Sequence, residues 1–533
     1  MSQLVDGLQP VLEGLGQAFG GKIKLLGTPR TREVYLQTED RYMNSISRHL
    51  YQLRDVRLTN VFALDGRERE GVFYIQYVFA LDRAGGFLLI RTPIPPEQPE
   101  FTSLTPLIPA VNWQEREIHD WFGLSPVGHP NPRRVAIHDD WPEGIYPLRK
   151  DFDLSTALPA FHGPRHVFRP VEGEGVFQVP VGPIHAGIIE PGHFRFSVAG
   201  EPILYLQIRL FYTHKATEKL FEQKSVDQGV FLSESISGDS SFSHCTAFCQ
   251  ALENTVQVEV PRRARLIRTL LLELERIYNH IADVGAIATD VGFGVANAHA
   301  MRLKESVVRL NGQLTGNRLL RGMSVPGGSR RDLNAQQLRA LESLLDFVEK
   351  EFDDLSDLIL SSASTLDRLE NTGILPPMTA LDLGVVGVAG RASGRDIDVR
   401  RDYPYAAYDE IAPRVVVYSQ GDVFHRMKVR MDEVKDSIRI AREAAARLKD
   451  GSVRVSLPEL PVGGCGLGWV EGWRGEILHW IEIGEGGTIS RCRIKDPSLN
   501  NWPALPEAVQ GNIIPDFPVI NKSFNLSYSG TDR

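Results

Sequence analysis

Cysteine is scarce in this chain: Cys245, Cys249, Cys465 and Cys492 are the only four in 533 residues. So few thiols exclude a disulfide framework and suit the cytoplasm. Cys245 and Cys249 stand four apart on a predicted helix; two thiols alone make a weak metal site, and they read as small buried hydrophobes. Surplus positive charge is missing too. Lys and Arg number 59 against 67 Asp and Glu, a net charge of −8, which gives no basis for nucleic-acid binding. No apolar run approaches the roughly 18 to 20 residues that cross a bilayer. The N-terminal MSQLVDGLQPVLEGLGQAF carries acids and no basic n-region, so it reads as an amphipathic helix, not a signal peptide. GGSRRDL at 327–333 lacks the Gly-Lys-[Ser/Thr] ending of a phosphate-binding loop. What remains is ordinary globular composition, 42% hydrophobic and 24% charged, in a chain long enough for two to four domains.

The fold class expected is α+β. Residues 1–152 read as a compact α/β domain in which VRLTNVFAL, GVFYIQYVFAL and GFLLIRTPI form an antiparallel meander behind the first helix. Next comes NWQEREIHDWFGLSPVGHPNPRRVAIHDDWPEGIYPLRKDF. Its charges beside aromatic rings suit a docking surface, and no nucleophile is paired with a base. Residues 153–178, rich in Pro, Gly and His, read as an extended linker. Residues 179–214 read as strands broken by Glu-Pro-Gly and Ala-Gly-Glu turns. Residues 241–370 show helical three- and four-residue spacing, with a Gly-rich break near 321–329. Arg391, Asp398, Arg400, Arg401 and Asp402 crowd a Gly-rich loop, either as buried ion pairs or as a proton route or headgroup site. GWRGEILHWIEIGEGGTISRCRIKDPS reads as a hairpin followed by a loop.

The organising stretch is Ser233 to Glu253, SESISGDSSFSHCTAFCQALE. It resembles the segment of membrane-bound, complex-I-related [NiFe]-hydrogenase large subunits that reads ER-[IV]-CGIC-x-[FY]-x-H and then A-[FY]-C-x-A-[LV]-E. Glu234, Ile236, Gly238, Phe242, His244, Ala247, Phe248, Ala251 and Glu253 keep that frame, but Ser237 and Ser240 stand at its two cysteines. The closing NKSFNLSYSGTDR resembles the family ending S-x-D-P-C-x-x-C-T-[DE]-R, with Ser527 and Gly530 at the other two cysteines. Soft thiolates are needed for nickel and iron, and serine hydroxyls replace them poorly. The end at Arg533, without the tail that such hydrogenases lose after nickel insertion, agrees with a subunit that never receives nickel. Further matches are GPIH, E-P-x-HFRF, YTHK-x-x-EK, ERIYNH and ATDVG. Glu115-Arg116-Glu117, Asp120, Phe122-Gly123, Gly128-His129-Pro130 and Arg133-Arg134 resemble the 30-kDa-type subunit of respiratory complex I.

The resemblance covers essentially the whole chain. It implies a 30-kDa-like assembly domain (1–152) fused to a mostly helical hydrogenase-like, 49-kDa-like domain with small antiparallel sheets (179–533), as in formate hydrogenlyase. It implies a peripheral electron-transfer subunit on the cytoplasmic face of the cell membrane. This chain is expected to bind no metal and no cofactor of its own. A [4Fe-4S] cluster would lie in an adjacent small iron–sulfur subunit of the 20-kDa type. A ferredoxin-like iron–sulfur subunit and antiporter-like membrane subunits are the other implied partners. A quinone or another small acceptor is the expected substrate. The alternative is an emptied structural subunit that couples a redox arm to ion pumping. Glu190 matches the family proton relay, His193 the hairpin that reaches a quinone headgroup, and Asp290 an aspartate paired with the quinone-site histidine. Asp239, between the former ligands, is either a proton donor or a hydrogen-bonded filler. Arg400 and Asp402 complete the candidate site residues.

Overall fold

A computed structural model describes residues 7–53, 55–163, 166–185 and 189–533. The N-terminal part is built on five strands ordered Ile23–Arg30, Glu33–Thr38, Gly86–Ile94, Val72–Leu81 and Val56–Gly66. The last three form the expected antiparallel meander. Glu33–Thr38 runs parallel to Gly86–Ile94, so the sheet is mixed, and the strand pair at 23–38 went unread because it lacks a long apolar run. Residues 152–175, apart from 164 and 165, carry no helix or strand.

The segment expected to be strands at 179–214 resolves into a three-stranded antiparallel sheet of Ile203–Arg209, His193–Ala199 and Val176–Val181. Positions 186–188 of that segment lie outside the described residues. A bundle follows, with its axis on the 29-residue helix Arg262–Asp290. This helix is buried on nearly every side, so its stripe of Glu273, Glu275, Arg276 and His280 is interior and must be paired. The neighbouring Ala335–Leu360 helix opens with a reciprocal capping box between Asn334 and Gln337, and Val423–Ala446 is capped by Asp422. The tail at 465–495 is three strands, Cys465–Gly472, Gly475–Ile483 and Ile489–Lys495; the expected loop is therefore a third strand, buried along its length. Among the described residues no helix is long and apolar enough to cross a membrane.

Two glycines set the position of the Ser241–Thr255 helix. Cβ atoms at Gly466 and Gly468 would fall 2.0 and 1.9 Å from the carbonyl oxygens of Ala251 and Ala247. Only glycine lets this helix lie directly on the Cys465–Gly472 strand. The N-terminal sheet is clamped to the same strands by buried charge. Glu476 accepts from Arg57 at 2.9 Å and Lys495 at 2.6 Å, and Arg57 also pairs with Asp82 at 2.7 Å.

Within the charged run at 115–134 the acids are interior, while Gly128, Pro130 and Arg133 stay exposed. Glu115 accepts from Ser103 Oγ, the Leu104 amide and Thr105 Oγ1, and Asp120 accepts from the amides of Val135, Ala136 and Ile137. Glu117 pairs with Arg533. Glu115 and Asp120 are thus buried against backbone amides, and Glu117 against a guanidinium.

Candidate functional site

Ser237 and Ser240 sit on the turn that starts the Ser241–Thr255 helix, and Ser527 caps the short helix Tyr528–Asp532. The fold brings the two distant segments into contact: Ser237 Oγ and Ser527 Oγ are 2.9 Å apart and share a hydrogen bond. Ser527 Oγ also accepts from the Gly530 amide at 2.9 Å. At Gly530 a Cβ would lie 2.6 Å from a carboxylate oxygen of Asp496 and 2.9 Å from Ser527 Oγ. The space a side chain at 530 would enter is thus taken by Asp496. That carboxylate is held by His244 Nε2 at 3.1 Å and the Ser498 amide at 2.7 Å. Burial opposes its charge, but the His244 contact keeps its pKa below the usual carboxylate range. His244 Nδ1 lies 3.0 Å from His479 Nε2, and burial drives His479 well below its ordinary pKa, so it is neutral.

Between the two serines lies Asp239. Its carboxylate takes two parallel N–H bonds from Arg474, at 2.7 and 2.6 Å, and one from Ser237 Oγ at 2.9 Å. Burial resists the charge on Asp239, yet the Arg474 guanidinium overcomes it and holds the pKa down. The Arg474 side chain is 6% exposed and that of Asp239 is 40% exposed, so one face of the pair opens outward. Trp473 Nε1 and Asn279 Nδ2 both donate to the Asp239 carbonyl. Lys215 Nζ pins the preceding turn through the carbonyls of Ser235 and Ile236.

The other expected site residues divide. Glu190 is at the site: its Oε2 accepts from the Ser529 amide at 2.9 Å, two residues from Ser527. His193 is buried, with Nδ1 3.2 Å from the Gly182 carbonyl and Nε2 without a partner among the described residues. Burial lowers its pKa and leaves it neutral. Asp290 is exposed at the end of its helix and makes no hydrogen bond or ion pair among the described residues; partial burial raises its pKa against the pull of Lys522. Arg400 is interior, paired with Asp398 at 2.7 Å and Glu273 at 3.1 Å, and Asp402 accepts from the Asp398 amide at 2.9 Å. Sequence reading missed Arg474 and Asp496. An acid between Ser237 and Ser240 called for a buried cation, and Arg474 of GWRGE answers it.

The donor chemistry here is three hydroxyls, a glycine backbone and a carboxylate already claimed by arginine. A nickel–iron centre requires soft thiolates, and these residues do not fit one. Among the described residues no group of three or more His, Cys, Asp or Glu side chains is arranged to hold a metal ion.

Two family models match the chain. Respiratory-chain NADH dehydrogenase, 30 Kd subunit, spans residues 36–157, and respiratory-chain NADH dehydrogenase, 49 Kd subunit, spans residues 290–465. Formate hydrogenlyase subunit 5 of Escherichia coli (strain K12) is 33% identical over 531 residues, spanning 98% of this chain and 93% of that protein. The chain belongs to the fused 30-kDa/49-kDa family of complex-I-related hydrogenase subunits. The C/D polypeptide of the NADH-quinone oxidoreductase of Bacteroides thetaiotaomicron, a more distant relative, is 28% identical over 461 residues, 82% of this chain and 86% of its own. A chain in the structure of the membrane-bound sulfane sulfur reductase, an archaeal respiratory membrane complex, superposes with a TM-score of 0.64 at 25% identity. The match takes in 68% of this chain and 100% of that one. The family thus comprises subunits of membrane-bound hydrogenases and of NADH-quinone oxidoreductases, and the residues of the site, Ser237 to Ser240 and Arg474 to Ser527, flank the 290–465 match on both sides.

Proposed function

We propose that this chain is the large subunit of a membrane-bound, complex-I-like oxidoreductase that works without a nickel–iron centre. It lies peripherally on the cytoplasmic face and takes electrons from a [4Fe-4S] cluster in a small iron–sulfur partner. Ferredoxin-like and antiporter-like subunits complete the assembly. A small acceptor is reduced against the open face of the Asp239–Arg474 pair. The observation carrying this reading is that pair itself: a carboxylate–guanidinium couple sits among Ser237, Ser240 and Ser527, where the family frame reserves metal ligands. Reduction of a quinone to a quinol takes up two electrons and two protons, so the site needs ionisable groups near the acceptor, not a ligand set. Glu190, held next to Ser527, is the acid that would serve as relay, and the charged Asp239 with Arg474 would hold the acceptor. The relatives named for NADH-quinone oxidoreduction and the solved complex named for sulfane sulfur reduction give the two acceptor classes to test.

A second reading is favoured by a different observation. The Ser237–Ser527 hydrogen bond and the Asp496 carboxylate behind Gly530 fill the inner side of the site. In that reading the protein has no chemistry of its own and links a redox arm to ion-pumping membrane subunits. Acceptor reduction by the assembled complex separates the two. A quinone or sulfane-sulfur reductase rate that falls in Asp239→Asn complexes supports the first. Full turnover in that variant moves the chemistry elsewhere and leaves the coupling role.

A further inference from the structure

Beside the candidate site, four acids and three guanidiniums meet in the closed interior. They come from the helices Arg262–Asp290, Gly387–Ala392, Val399–Asp402 and Val423–Ala446 and from the strand Cys465–Gly472. Arg391 pairs with Glu433 and Glu471, each at 2.8 Å, and approaches Asp398 at 3.6 Å. Arg400 pairs with Asp398 and Glu273. Arg276 lies 3.4 Å from Glu273 and 3.5 Å from Glu433. His280 contacts Glu433 at 2.8 Å, and burial lowers its pKa to about 4, so it adds no charge at neutral pH. Lys495 also reaches Glu471 with its field, but it is already matched by Glu476. Of the other charged groups in reach, Asp436 is matched by Arg439 at 2.7 Å, Asp402 by Arg401 at 2.7 Å and Arg430 by Asp283 at 2.8 Å, and burial raises Tyr405 and Tyr408 well out of the neutral range. The cluster therefore holds three cations and four acids, and a low-dielectric interior penalises the fourth negative charge.

Which acid keeps the proton follows from the donors each one has. Asp398 accepts three N–H bonds from Arg400, two at 3.0 Å and one at 2.7 Å. Glu273 takes Arg400, Tyr408 and Ser437; Glu433 takes Arg391 and His280. Glu471 has one Arg391 N–H at 2.8 Å and the Val399 amide at 3.2 Å. Burial and the Asp398 charge push Glu471 up to about 7, while Arg400 beside it keeps Asp398 low against the cost of burial. The cluster adjoins the pocket through one hairpin. Arg276 holds the carbonyls of Glu471 and Gly472; Trp473 packs on His280 and donates to Asp239; Arg474 pairs with Asp239.

We propose that Glu471 is a proton-loading group: it carries the cluster's one surplus proton and exchanges it with solvent when the charge in the neighbouring pocket changes. Negative charge arriving at the pocket raises its protonated fraction, and removal of that charge releases the proton. Nothing is bound or transferred beyond this proton. The proposal leans on the redox reading above only for what changes the pocket's charge.

Infrared spectroscopy of the assembled complex tests both halves. In a pH titration at fixed oxidation state, a protonated-carboxyl C=O band should titrate near neutral pH and vanish in Glu471→Gln but persist in Glu190→Gln. In reduced-minus-oxidised spectra the same band should grow by a measurable fraction of one carboxyl per complex. Because glutamine copies the protonated form, Glu471→Gln should also assemble normally. Persistence of the band in that variant, or its failure to assemble at neutral pH, overturns the proton assignment. A band that titrates but ignores reduction overturns the coupling while leaving the redox reading to stand or fall on acceptor turnover.

Discussion

Removing Asp239 strands Arg474 among buried neighbours. The cost can be bracketed from the geometry. Breaking a fully buried ion pair by deleting one partner costs about 3–5 kcal/mol, whereas exposed pairs give about 0.2–1 kcal/mol. Arg474 is 6% exposed and Asp239 40% exposed, so the pair falls between these limits. Arg474 also keeps three other contacts, a bond to the Asn525 carbonyl, a long one to Ser240 Oγ at 3.5 Å and the Trp473 ring 3.8 Å away. We therefore expect Asp239→Ala to cost about 2 kcal/mol, roughly a 30-fold shift in the unfolding equilibrium. Denaturant unfolding of the purified protein measures it, and an Asp239→Ala/Arg474→Ala cycle isolates the coupling. The pH dependence has a fixed sign. The folded pKa of Asp239 is depressed, so its contribution is present above the unfolded carboxylate value of about 3.9 and is lost as pH falls through the folded value. The gap between wild type and variant must therefore narrow in acid. A loss below about half of one kcal/mol at neutral pH, or a gap that widens in acid, would refute the pairing argument.

Gly530→Cys should destabilise by about 1–3 kcal/mol through overpacking, because its Cβ meets the Asp496 carboxylate; an unchanged denaturation midpoint contradicts this. Glu476→Ala leaves Lys495 without its ion-pair partner and Arg57 with Asp82 alone at the interface of the two halves, at a cost of about 3–5 kcal/mol, and calorimetry should then resolve two transitions in place of one. Glu190→Gln can still accept from the Ser529 amide but cannot release a proton. Turnover of the assembled complex should fall on the order of 10²-fold with assembly intact, and an unaltered rate removes the relay role.

Much of the architecture was legible because long periodic runs decide element type. The Arg262–Asp290 helix and the 56–94 meander could be read from spacing alone. Ser237, Ser240, Ser527 and Gly530 were singled out by a motif along the chain, and the fold brings the two segments that carry them into contact. What spacing could not convey is partnership. Asp239 announced itself as an unusual acid, but its cation lies 235 residues away on a hairpin turn. Asp496 lay in a stretch that read as the loop after a hairpin; it caps the short helix Pro497–Asn501 and fills the space at Gly530. The acids of 115–134 looked like a surface because charge usually is solvated. Only folding shows that Glu115 and Asp120 satisfy backbone amides instead. Arg400 looked like either a pair or a proton route, and its contacts put it in the pair, with Glu471 as the odd acid.

If a carboxylate–guanidinium pair has taken the place of a nickel–iron centre, the assembled protein contains no nickel. Elemental analysis of the intact complex, purified from cells supplied with nickel, tests this most directly. The expected result is no nickel, with all iron accounted for by the clusters of partner subunits. About one nickel per large subunit would contradict it.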